Sequence, residues 1–111
     1  MGNDVHVMVV EDEILIGLML VRKLLEYGFE VGDVITSGEE AVQKVGEKRP
    51  AVILMDITLA GKINGLEAAW QIKTQFGAIP VIIFSGYDDK LLHRQIEKIE
   101  PVAVLPKMGP V

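Results

Sequence analysis

Four apolar runs in the 111-residue chain each end on a side chain able to do chemistry. Val5 to Val10 stops at Glu11 and Asp12, Ala51 to Met55 at Asp56, Val81 to Phe84 at Ser85, and Val102 to Leu105, after Pro106, at Lys107. In an open parallel sheet, ligands gather in the crevice beyond the carboxyl ends of the strands, so strands made from these runs would bring the five side chains together. Glu11, Asp12 and Asp56 would then be three carboxylates that repel one another, a repulsion that a hard cation with oxygen ligands relieves. Mg2+ is the natural candidate, because it takes oxygen ligands octahedrally, keeps waters and bridges carboxylates to phosphoryl oxygens. Each residue also has a plainer reading. Glu11 and Asp12 could cap a following helix, Asp56 could sit in a turn, Ser85 could enter a helix and Lys107 could be a solvated surface lysine.

The elements that must position these groups are visible in the hydrophobic pattern. The run from Val5 to Val10 is rich in β-branched residues, as expected of a strand covered on both faces. A helix follows, with Leu18, Val21 and Leu25 expected on its apolar face, Arg22, Lys23 and Glu26 opposite, and Gly28 as its stop. Val31 to Ile35 is expected to form a second strand, and Ser37 with Glu40 has the spacing of a capping box that opens a helix running to Gly46. After the strand that ends at Asp56, a loop with Gly61, Asn64 and Gly65 leads to a helix with Leu66, Ala69, Trp70 and Phe76 at helical spacing. A fourth helix carries Leu92, Ile96 and Ile99, and Pro50, Pro80 and Pro101 stand at strand starts, where a missing N–H costs no ladder bond. The alternation predicts an α/β fold with an open parallel five-stranded sheet and helices on both faces. The chain stops about where a fifth helix would begin, so one face is expected to lack part of its cover.

Composition narrows the function classes. The length suits one compact domain over residues 1–111, and half of the residues are apolar. A net charge of −5 without a dense basic run argues against direct nucleic-acid binding. The absence of cysteine excludes disulfides and thiolate chemistry. No apolar run approaches the ~20 residues that span a bilayer, and the first residues lack the pattern of a signal peptide, so cytoplasmic residence is the expectation.

An acidic pair after strand one, Asp after strand three, Ser after strand four, Lys after strand five and Gly65-Leu66-Glu67 after the acceptor loop together resemble the receiver domain of response regulators in two-component signalling, the CheY-like superfamily. The resemblance covers the whole chain and implies the flavodoxin-like strand order 2-1-3-4-5. It implies that Asp56 is the phosphoacceptor, that Mg2+ is held by Glu11, Asp12, Asp56 and the backbone carbonyl of Thr58, and that Lys107 and Ser85 assist the transfer. The expected donor is a histidine kinase or phosphotransfer protein. The expected readout is a switched surface on the fourth helix and fifth strand that recruits a partner or a second copy. The family is regulatory, assisting its own phosphoryl transfer and dephosphorylation without acting as an enzyme on other substrates.

The chain departs from the usual receiver in three places. The segment between Asp56 and Gly65 is one residue longer than the commonest form and has Ala60 where proline is usual. Val104 replaces the Tyr or Phe that turns inward with the switch hydroxyl, and Met108 replaces the proline usual after the lysine. Ser85-Gly86-Tyr87 resembles the Thr-Gly-aromatic loop of a receiver subgroup, which offers Tyr87 as an alternative moving ring. Two other functions compete. A phosphate-independent binding module would tolerate loss of an acid, yet every acid is retained. An aspartate-nucleophile phosphatase would need a second Asp two residues after Asp56, where Thr58 stands.

Overall fold

The computed structural model describes residues 5–85 and 93–106, with the side chains of Ser85 and His93 outside that description. The elements run β1 (His6–Val10), α1 (Ile14–Glu26), β2 (Glu30–Val31), α2 (Gly38–Glu47), β3 (Val52–Asp56), α3 (Gly65–Phe76), β4 (Val81–Ser85), α4 (His93–Ile99) and β5 (Ala103–Pro106). Every strand pairing is parallel and the order is β2-β1-β3-β4-β5, as expected. Strand order therefore reverses between β1 and β3, the place where sheets of this kind open a crevice at their carboxyl ends.

Alternation along the strands divides the core between the two faces of the sheet. Met8, Val10, Ile53, Met55, Val81 and Ile83 point to the face covered by α2, α3 and α4, where they pack with Ala41, Val45, Ala69, Ile72, Ile96 and Ile99. Val7, Val9 and Leu54 point to the other face, against Leu20, Val21 and Leu24 of α1. Four helices lie among the described residues, and none is long and apolar enough to cross a membrane.

Two local expectations are corrected. The second strand is shorter than residues 31–35: it pairs at Glu30 and Val31, breaks, and returns only as a bridge between Ile35 and Val10. Residues 32–34 stand opposite residues 8 and 9, so the strand bulges by one residue where Gly32 and Asp33, poor strand formers, interrupt it. In α1 the buried stripe is Gly17 with Leu20, Val21 and Leu24, while Leu18 and Leu25 face outward. The segment from Ile14 to Leu25 is apolar almost all round, so spacing alone could not select the stripe. At the other edge, Pro106 joins β5, which an edge strand accommodates.

Candidate functional site

The carboxyl end of β1 is held by the strand beside it. The N–H of Glu11 donates to the carbonyl of Ile35 at 2.8 Å, and the N–H of Ile35 donates to the carbonyl of Val9 at 3.0 Å. This ladder carries Glu11 one step beyond the paired strand, where it is 1 % exposed. Its Oε2 accepts the N–H of Glu13 at 3.1 Å, at the start of α1, whose N-cap residue makes no side-chain cap of its own. Glu11 thus ties down the residue that precedes the helix rather than capping its first turn. Asp12 follows at the partly exposed rim.

Asp56 is the last residue of β3 and is 2 % exposed. One carboxylate oxygen from each of Glu11, Asp12 and Asp56 lies within 4.8 Å of the others. Among the described residues this is the group of acids, histidines or cysteines placed to hold a metal ion. Two buried carboxylates side by side oppose each other's charge and are costly to desolvate. An all-oxygen donor set with an open rim at Asp12 fits a hard divalent cation that retains water, and offers nothing to a soft metal.

A close backbone approach fixes the chain immediately beyond Asp56. The N–H of Gly65 donates to the carbonyl of Ile57 at 2.7 Å, closing the base of loop 57–64. A Cβ at position 65 would overlap the carbonyl oxygen of Asp56, so only glycine lets α3 start this close to the end of β3. Asn64 caps α3 by accepting the N–H of Glu67 at 2.9 Å, and Ile57 is buried beneath the loop. Thr58 lies exposed just past Asp56.

The remaining candidates are placed unevenly. Phe84 of β4 pairs with Asp56, so the backbone of Ser85 ends β4 one step beyond it, paired with Pro106 of β5. Lys107 and Tyr87 lie outside the described residues. Val104, 46 % exposed, sits on the edge strand beside Ile83. Ser37 caps α2 as expected, its Oγ accepting the N–H of Glu40 at 3.1 Å. One residue was missed: Glu39 reaches the loop after Asp56 and accepts the N–H of Lys62 at 2.7 Å. In the sequence it was an acid in the first turn of a helix, with no signal of that contact.

Compared with known proteins, the chain matches the family model of the response regulator receiver domain over residues 7–109. It is 36 % identical over 67 residues to the chemotaxis protein CheY of Thermotoga maritima, covering 60 % of this chain and 55 % of that protein. It is 34 % identical over 103 residues to the phyllosphere-induced regulator PhyR of Methylorubrum extorquens, covering 92 % of this chain and 38 % of that one. The chain spans about half the length, or less, of the curated relatives it matches. Among solved structures it is similar to the signal receiver domain of a modulated diguanylate cyclase from Desulfovibrio desulfuricans G20. That likeness has a TM-score of 0.86 at 29 % identity and covers 97 % of this chain and 85 % of the other.

Proposed function

The chain belongs to the response regulator receiver domain family of two-component systems, and from that membership we propose that Asp56 is its phosphoacceptor, loaded in a Mg2+-dependent step by a histidine kinase or phosphotransfer protein. The observation that carries this reading is the burial of Asp56 at the carboxyl end of β3, within reach of Glu11 and Asp12.

In the proposed step a carboxylate oxygen of Asp56 attacks the phosphorus of a phosphohistidine. The new O–P bond forms as the P–N bond breaks, and the imidazole leaves with the electron pair and takes up a proton. Such a transfer asks the protein mainly to hold the nucleophile in line and to neutralise charge on the equatorial oxygens. The fixed end of β3 and the close start of α3 hold Asp56. Glu11, Asp12, Asp56 and the carbonyl of Thr58 would hold Mg2+, which when bound supplies charge neutralisation and orientation for the phosphoryl oxygens. The ammonium of Lys107 meets the same oxygens from the end of β5. Ser85 donates its hydroxyl to the phosphoryl group, and the resulting movement passes to α4 and β5 through Tyr87 or Val104. Residues 1–111 then act as one cytoplasmic receiver domain whose altered surface recruits a partner or a second copy.

The test is incubation with acetyl phosphate, with and without Mg2+, followed by intact mass on wild type and Asp56→Asn. The expected result is a Mg2+-dependent gain of one phosphoryl group, absent in the variant. No gain in wild type would replace this reading with a phosphate-independent binding module.

A further inference from the structure

The loop after Asp56 is tied down at two separate places. Its base is closed by the bond from Gly65 to Ile57. Its tip is fastened to the run-in and first turn of α2. Ala60 bridges to Ser37 and donates its N–H to the carbonyl of Thr36 at 3.3 Å. The N–H of Lys62 donates to Oε2 of Glu39 at 2.7 Å, and Ile63 packs against Gly38.

Gly61, with φ of +92°, makes the turn that presents this N–H, and the Glu39 carboxylate fills the space a side chain at position 61 would need. The bond from Lys62 is the main cause holding the Glu39 carboxyl below the usual carboxylate range. A backbone N–H donating to an ionised carboxylate belongs to the stronger class of hydrogen bonds.

We propose that Glu39 is a positioning residue for the site: by holding the tip of loop 57–64 on α2 it fixes Thr58 beside Asp56 and so sets the affinity for the divalent cation. The inference rests on the reading of Glu11, Asp12, Asp56 and the Thr58 carbonyl as the cation site. Thr58 lies between the two anchors. With both in place its backbone has few conformations open to it. Without Glu39 the tip keeps the Ala60 contacts and the packing of Ile63 but loses its charged anchor, and binding a cation must then bear the part of the ordering cost that Glu39 otherwise covers in advance. Glu39 is not one of the carboxylates gathered at Asp56, which separates this effect from direct ligation.

The experiment is a Mg2+ titration of wild type, Glu39→Ala and Glu39→Gln, monitored by NMR amide shifts at residues 56–59. Rates of phosphoryl uptake from acetyl phosphate are measured in parallel at low and saturating Mg2+. Glu39→Ala is expected to weaken Mg2+ binding by about fivefold, the order of one hydrogen bond. Its uptake rate should fall at low Mg2+ and recover at saturation, a split that general loosening of the fold does not produce. Glu39→Gln keeps an oxygen that accepts the Lys62 N–H and should titrate close to wild type. Equal Mg2+ affinity in wild type and Glu39→Ala overturns the inference whether or not phosphate is taken up. Wild type that binds Mg2+ yet gains no phosphoryl group strikes the phosphoacceptor reading alone, and the titration still decides the role of Glu39. Wild type with no response to Mg2+ overturns both.

Discussion

The two faces of the sheet are built differently. On one, α2, α3 and α4 close over Met8, Ile53, Met55 and Ile83, and the loop after Asp56 is sealed into the same layer through Ile57, Leu59 and Ile63. On the other, α1 is the helix that meets Val7, Val9 and Leu54 among the described residues, and Ile14, Leu18 and Leu25 on it are exposed. Asp56 falls in strand alternation with Leu54, and Glu11 with Val9, so the acids extend the face of α1 while the segment after Asp56 is anchored in the other one. The acids and the chain that follows Asp56 thus belong to opposite faces of the sheet, joined at the end of β3.

The contrast is broken most directly by truncation. Ile53→Ala, in the closed layer, should cost about 2–5 kcal/mol of stability, the usual range for emptying a fully buried site. Leu18→Ala, on the outward side of α1, should stay within about 0.5 kcal/mol. Urea midpoints with equal slopes measure both, and similar losses would mean that the outward side of α1 is packed as closely as the closed layer. Asp56→Asn removes one of three clustered carboxylates and should raise stability without Mg2+. The same variant should lose most of the Mg2+-induced rise in melting temperature expected of wild type. Gly65→Ala probes the seam between the faces. Its added Cβ must push α3 away from the carbonyl of Asp56, at about 1–3 kcal/mol for overpacking, and phosphoryl uptake should fall beyond what the stability loss explains.

Much of this was legible in the sequence, for identifiable reasons. Strands β1, β3 and β4 are short β-branched runs that end abruptly on polar residues, so both their existence and the convergence of Glu11, Asp12 and Asp56 could be read from pattern and the crevice rule. The cap at Ser37 was legible because its partner lies three residues away. The failures share one cause, dependence on tertiary context. The bulge at 32–34 shows only once β2 is laid beside β1. The stripe of α1 is chosen by what it packs on, because nearly all its positions are apolar. The contact of Glu39 joins residues 23 apart through a loop conformation that local propensity does not specify.

Acid offers the finest test of how the closed face holds its loop. The Glu39 carboxyl sits below its ordinary value because the folded chain donates the Lys62 N–H to its charged form. A group whose folded value is lowered contributes stability above its unfolded value and loses it as pH falls through the folded one. The tie between Glu39 and Lys62 should therefore hold from neutral pH down to about 5 and be lost below the ordinary carboxylate range near 4, while the backbone bond from Ala60 to Thr36 stays. The base should not open as that tie is lost, since the bond from Gly65 to Ile57 joins two backbone groups that do not titrate. In an NMR titration the amide proton of Lys62 should move with an inflection below the ordinary glutamate value while that of Gly65 holds its position, and Glu39→Gln should abolish the Lys62 inflection. If Gly65 moves together with Lys62, tip and base open as one unit, and α2 and α3 grip the loop as a single body in place of two separate anchors.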